Sequence, residues 1–268
     1  MIDVDAYLRR IGHTGPVAPT LDTLRAVHRA QLLAVPYENA GIQLGTPAPL
    51  DIPALEDRIV RQRAGGYCYQ LNGLFGALLT ALGFQVRHAC AAVHLDRYGE
   101  EDGWGNHLAL LVDLDGQTWV ADAGLGDGFL DPLPLRPGVH HQGAERYTIE
   151  DRGDRWWIGL DGRTSPPGYH LRTAPLELAD FDAWHQRLST AEDSPFVRTF
   201  VVQRMYADRT ETVRALTHTV RTATGNSTAT LDRPAFEATV ARLGVPEEEG
   251  LWGLAAAQQE AWVAAGSP

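Results

Sequence analysis

Arg63-Ala64-Gly65-Gly66-Tyr67-Cys68-Tyr69-Gln70-Leu71-Asn72-Gly73-Leu74-Phe75 is the stretch on which the reading of this chain turns. Gly65 and Gly66 can take backbone angles that other residues avoid, and Leu71, Leu74, Phe75, Leu78, Leu79 and Leu82 then recur at helical spacing. Cys68 is therefore expected to open a helix that ends near Gly83. The first turn of any helix carries unpaired N–H groups and a partial positive charge, surroundings in which cysteines act as nucleophiles. A small apolar plug is the other fate of a buried cysteine. A plug has no use for two glycines that let a substrate carbonyl approach closely, so the stretch reads as a nucleophile at a helix start.

Downstream of this helix the period changes from helix to strand. Phe84 to Val93 and His107 to Leu114 read as strands, Asp115-Gly116 as a two-residue hairpin turn, and Gln117 to Asp122 as the return strand. With that turn, Leu114 faces Gln117 and Asp122 opposes Ala109. Side chains alternate along a strand, so His107 shares the face of Ala109 and becomes a diagonal neighbour of Asp122. Diagonal partners lie about 7 to 8 Å apart at the backbone, within the joint reach of an imidazole and a carboxylate. A three-residue loop would send Asp122 to the opposite face.

Upstream, Leu21 to Leu32 suggests an amphipathic helix capped by Thr20 or Asp22 that stops before Pro36, and Pro53 to Arg63 suggests a second. Val35 to Asn39 reads as a loop. After Asp122, Ala123-Gly124-Leu125-Gly126-Asp127-Gly128-Phe129 is a glycine-rich loop whose default reading is a flexible turn. Short strand-like pieces follow at Tyr147 to Ile149, Trp156 to Leu160 and Gly168 to Leu171, suggesting an antiparallel sheet or small barrel. Further expectations are a short helix over Phe181 to Leu188, strands over Phe200 to Met205, Thr210 to Leu216 and Thr217 to Thr228, and helices over Arg233 to Leu243 and Glu248 to Ala264.

Composition narrows the chemistry. With 44% hydrophobic and 21% charged residues over 268 positions the chain is an ordinary globular protein, long enough for one large domain or two to three small ones. A formal net charge of -11 disfavours nucleic acid as a partner. All 23 basic residues are arginines, which removes Schiff-base chemistry and the lysine of a phosphate-binding loop. No apolar run reaches transmembrane length and the N-terminus is acidic, which points to a cytoplasmic protein without membrane partners. Cys68 and Cys90 are read as reduced thiols, Cys90 as core packing. His140 and His141 are adjacent and would point to opposite faces of a strand, so no metal is expected.

A cysteine at a helix start, a histidine on a strand and an aspartate beside it supply a nucleophile, a base and an orienter. They suit acyl transfer, with water as acceptor giving a hydrolase and an amine giving an amide. Spacing does not choose between the two.

The residues that surround this trio resemble the arylamine N-acetyltransferase family. The resemblance rests on Arg63 with Gly65 to Phe75, then His107-Leu108-Ala109, then Asp122 to Gly126. Tyr7 to Gly12, Pro36-Tyr37-Glu38-Asn39 and Ser194-Pro195-Phe196 support it. It implies an α+β fold with a cysteine-protease-like Cys-His-Asp site. A helical domain would span residues 1–84 and carry the nucleophile. An antiparallel β-barrel domain over 85–190 would carry the histidine and aspartate, and an α/β lid would span 191–268. Cys68 would carry an acetyl thioester, with His107 as base and Asp122 as its partner. Acetyl-CoA would be the co-substrate and a small arylamine or hydrazine the acceptor, with no permanently bound cofactor. By the same resemblance Gly124, Gly126 and Gly128 would lie near the coenzyme A pyrophosphate, Tyr37 and Phe129 would contact the acceptor, and Arg10, Glu38 and Arg63 would form a structural ion-pair cluster. The family's amide synthase branch offers the alternative: an acyl carrier protein as donor and macrolactam formation on an aromatic amine.

Overall fold

The computed structural model describes residues 2–160, 166–246 and 248–266. The helix begun by Cys68 runs Cys68–Ala81 and is the central element, with every side chain from Cys68 to Gly76 buried. Gln70 Oε1 accepts the Tyr67 N–H at its first turn, and Gly83 beyond its end takes φ +92°. The glycines before it serve the protein's own packing. A Cβ on Gly65 would lie 2.2 Å from the Pro36 carbonyl oxygen, and one on Gly66 would lie 2.7 Å from Gln70 Oε1. Neither has positive φ, so space rather than backbone angle demands glycine at both.

Leu71, Leu74, Phe75 and Leu78 share one core with Leu24 and Val27 of the helix Leu21–Ala34 on one side and with Leu108, Leu110 and Val112 of the large sheet on the other. The expected helix over Pro53 to Arg63 is split. An α-helix covers Ile52–Glu56 and a wider π-helical turn covers Asp57–Arg61, with Gln62 N–H donating to the Asp57 carbonyl.

Among the described residues thirteen strands follow in chain order: β1 Tyr37–Glu38, β2 Gln85–Val93, β3 His107–Leu114, β4 Gln117–Val120, β5 Leu133–Pro134, β6 Gly138–Gln142, β7 Glu145–Asp151, β8 Trp156–Leu160, β9 Gly168–Leu176, β10 Val201–Met205, β11 Arg209–Arg214, β12 Thr217–Thr222 and β13 Gly225–Thr230. Eight of them form an antiparallel sheet in the order β5-β4-β3-β2-β9-β8-β7-β6. Its inner face closes over one barrel-like core that holds Ala91, Ala109, Leu111, Tyr147, Ile158 and Tyr169. The stretch between β2 and β3 contains a helix Leu95–Asp102 kinked at Gly99.

The other five make a second antiparallel sheet, β1-β10-β11-β12-β13, with helices Arg233–Leu243 and Leu251–Ala264 packed on it through Phe236, Val240, Leu243 and Leu251. The single strand expected over Thr217 to Thr228 is two, because the chain turns at Ala223-Thr224 and Gly225 takes φ +147°. The segment read as a loop at Val35 to Asn39 supplies β1 to this sheet. As a proposal, the divisions at 84/85 and 190/191 fall just before β2 and at the end of the helix Asp182–Thr190. Among the described residues no helix is long and apolar enough to cross a membrane.

Candidate active site

The hairpin has the register its turn demands. Leu114 pairs with Gln117 and Leu111 with Val120, and Asp115 and Gly116 take φ +51° and +76°, as a two-residue primed turn requires. The ladder continues with Ala121 N–H donating to the Leu110 carbonyl. His107 and Asp122 therefore meet at the barrel rim, with Nε2 2.7 Å from Oδ2. A carboxylate only accepts, so Nε2 carries the proton and Nδ1 is left for the other neighbour. Cys68 lines the same cavity as His107 and is among the groups that favour its charged form. The helix N-terminus and the barrel rim thus bring all three side chains together.

Burial pulls the His107 imidazolium toward deprotonation, but the Asp122 charge and hydrogen bond, with the Cys68 contact, outweigh it and hold the group at about 10. Burial would raise the Asp122 carboxyl; the His107 charge, with hydrogen bonds from His107, Asn72 and the Gly124 N–H, holds it below the usual range instead. Asn72 lies one turn along the helix from Cys68. Its Nδ2 donates to Asp122 Oδ1 at 2.8 Å and to the Leu108 carbonyl at 2.6 Å, while its Oδ1 accepts the Ala123 N–H at 2.9 Å. Sequence reading assigned Asn72 no role. The available signal was a polar residue four positions after the cysteine, on the same helix face as the nucleophile. Tyr169 completes the enclosure, its ring edge-on to His107 at 5.3 Å.

Cys68 opens onto a cavity of about 320 Å³ lined by Tyr37, Leu125, Trp184, Phe196, Gln203 and Arg214 among others. Of the loop glycines, Gly124 lines it, and a Cβ there would sit 2.9 Å from the Cys68 Cα. Gly126, at φ +73°, backs onto Gln203 and Tyr37, and Gly128 backs onto Leu125. Phe129, expected on the acceptor, is fully buried in the barrel core, stacked on His28 at 5.9 Å and edge-on to Tyr147, and does not line the cavity.

The expected cluster of Arg10, Glu38 and Arg63 is corrected. Arg58, turned inward by the π-helical turn, pairs with Glu38 at 2.6 Å and donates to the Gly65 carbonyl. Arg10 spends its guanidinium on backbone carbonyls of Ala34, Ile59, Arg63 and Ala64. Arg63 contributes its carbonyl and a positive φ, and no ion pair among the described residues.

Comparison with known proteins places this geometry. A family model described as N-acetyltransferase matches residues 20–243. An arylamine N-acetyltransferase / N-hydroxyarylamine O-acetyltransferase of Salmonella typhimurium is 36% identical over 56% of this chain and 54% of its own length, so that match spans about half of the relative. An arylamine N-acetyltransferase of Mycolicibacterium smegmatis is 33% identical over 75% of this chain and 76% of that protein. In three dimensions, Mycobacterium marinum arylamine N-acetyltransferase in complex with CoA superposes with a TM-score of 0.81 at 29% identity, over 95% of this chain and 94% of that one. With the family model covering most of its length and the fold shared almost end to end, the chain belongs to the arylamine N-acetyltransferase family.

Proposed function

We propose that the chain moves an acetyl group from acetyl-CoA to an arylamine or hydrazine through a thioester on Cys68. The observation that carries this is the position of His107, hydrogen-bonded to Asp122 and lining the same cavity as Cys68. The Asp122 carboxylate favours the charged imidazolium, so His107 can take up the thiol proton and hold it. Cys68 Sγ attacks the thioester carbonyl of acetyl-CoA, the C–S bond to coenzyme A breaks, and His107 returns the proton to the departing thiolate. In the second half the amine nitrogen attacks the acetyl carbon on Cys68, the bond between that carbon and Sγ breaks, and the amine proton passes by way of His107 to the departing Cys68 thiolate. Free enzyme is regenerated with no net gain or loss of protons. Asp122 keeps the imidazole in one tautomer throughout. The fold shared with a relative solved in complex with CoA supports the donor.

Gly124 holds backbone against Cys68, and the acetyl carbonyl must sit in the adjoining cavity. The test is intact-protein mass spectrometry after exposure to acetyl-CoA alone. One acetyl group mapped to Cys68, and its discharge on addition of an aniline, is the expected result. No modification, with the fold intact, rejects the reading. Acylation only from an acyl carrier protein would move the chain to the amide synthase branch.

A further inference from the structure

Cys68 stands between two tyrosines, and both are fully buried. The rings of Tyr67 and Tyr69 meet edge to face with centroids 5.3 Å apart, yet their hydroxyls go to different parts of the fold. The Tyr67 hydroxyl meets His185 Nδ1 at 2.5 Å, on the helix Asp182–Thr190. The Tyr69 hydroxyl donates to the Gly105 carbonyl at 2.5 Å, two residues before His107. Any buried phenol has to find an acceptor, so what distinguishes Tyr69 is where its bond lands.

The segment that leads into β3 is held from two directions. To the barrel it is fixed by the Gly105 N–H, which donates to the Ala91 carbonyl at 3.1 Å. Asn106 adds a reciprocal pair there, donating to the Val93 carbonyl at 2.9 Å and accepting the Val93 N–H at 2.8 Å. Gly105 itself takes φ +87°, and a Cβ on it would lie 2.3 Å from Trp184 Nε1, so only glycine lets the chain turn at this point. To the helix Cys68–Ala81 the segment is fixed by two side chains. Tyr69 binds the Gly105 carbonyl before His107, and Asn72 binds the Leu108 carbonyl after it. The barrel contacts keep His107 in its sheet. Of these hydrogen bonds, the two from the helix are the ones that set where His107 stands relative to Cys68.

We propose that Tyr69 is a positioning residue: its hydroxyl, together with Asn72, clamps the backbone on either side of His107 to the nucleophile's own helix and so fixes the separation of thiol and imidazole. This rests on the acetyl-transfer reading above and adds to it the part that holds the base in place. The Tyr69 ring packs against Phe181 at 5.6 Å, a contact that phenylalanine would keep. Loss of the hydroxyl alone leaves the buried Gly105 carbonyl without this donor, and His107 is then tied to the helix on one side only. A misplacement of about 1 Å at a reacting group can cost about a hundredfold in rate, so a partial release costs less than that but is measurable.

The test compares Tyr69→Phe with Tyr67→Phe, which each delete one buried hydroxyl beside Cys68. Tyr67→Phe removes a bond to the helix Asp182–Thr190 and leaves the clamp whole. In Tyr69→Phe the maximal single-turnover rate of Cys68 acetylation should fall about tenfold. The acetyl-CoA concentration that gives half of that rate should hold, because the clamp does not touch the donor. Tyr67→Phe should keep the native rate even where its melting temperature drops as far. In a His107→Gln background Tyr69→Phe should bring no further loss, since the hydroxyl acts through the imidazole. Alkylation of Cys68 by iodoacetamide, mapped by mass spectrometry, needs the same thiol proton removed and no acyl donor. It should follow the same order of rates, so the clamp is tested even if acetyl-CoA is not the donor. Native rates of acetylation and alkylation in Tyr69→Phe overturn the proposal. An equal loss in Tyr67→Phe, or a further loss in the His107→Gln background, also overturns it and reduces Tyr69 to general support of the helix.

Discussion

Asn72 Nδ2 donates to Asp122 Oδ1 at 2.8 Å, so the helix that carries Cys68 also grips the carboxylate that orients His107. The nucleophile and its base come from different layers of the fold, and this contact locks their relative positions. In Asn72→Ala, Asp122 loses one of its donors and the buried Ala123 N–H loses its acceptor, at a cost of about 1 to 3 kcal/mol for such a group. We expect kcat to fall by at least about tenfold while the KM for acetyl-CoA holds, as misalignment of a catalytic group does. Asn72→Asp should be worse than Asn72→Ala, because it sets a second carboxylate against Asp122. Steady-state kinetics with thermal melts checks both; wild-type kcat in either variant would remove Asn72 from the machinery.

Cys68→Ser keeps a side chain of similar size at the helix start and replaces the thiol with a far weaker nucleophile. Turnover should drop by more than about 10³-fold with an unchanged melting temperature. Acetyl incorporation from acetyl-CoA should vanish in the same variant. Residual activity near the native level would mean that the acyl group travels by another residue.

The His107–Asp122 pair makes stability depend on pH in a defined direction. His107 is raised from 6.5 to about 10 in the fold, so its contribution is complete below about pH 6.5 and is lost as pH rises toward 10. Asp122 is lowered from 3.8, so its contribution is present above that value and is lost as pH falls below it. The stabilising window of the pair lies between these limits. The difference in melting temperature between the native protein and His107→Gln should be largest near pH 5 to 6 and shrink steadily toward pH 10. A difference that grows with pH over this range contradicts the charged pair.

Arg221 ties the glycine-rich loop to the second sheet through Asp127, which also accepts from Thr210 Oγ1 at 3.0 Å. That loop walls the cavity beside Cys68 through Gly124 and Leu125. Arg221→Gln should cost about 1 to 2 kcal/mol, less than a fully buried pair because these groups are partly open to water. It should also speed proteolytic cleavage within residues 123–131. An unchanged melting temperature and cleavage rate would show that the loop is held by other contacts.

Much of the site is local and was therefore legible. A cysteine followed by an apolar residue every third or fourth position declares a helix start through backbone hydrogen bonding alone. Asp115-Gly116 declares a two-residue turn because both positions take positive φ. From that turn, strict alternation carried the register to His107 and Asp122 without any tertiary information. The contacts that escaped join segments far apart in sequence. Nothing near Tyr37 announces that it pairs with Gln203, since a two-residue strand has no periodicity to read. Arg58 rather than Arg63 meets Glu38 because a π-helical turn rotates one arginine inward, a shift of register that periodicity does not show. Phe129 follows the glycines into the barrel core because His28, on a helix about a hundred residues earlier, offers it a stacking face. By itself the sequence determined the helix that presents Cys68 and the hairpin that joins His107 to Asp122. Only the tertiary structure decided that the helix packs on the barrel rim and that the second sheet turns Gln203 and Arg214 toward the nucleophile. Those choices depend on which apolar faces are buried together, and no single segment carries that information.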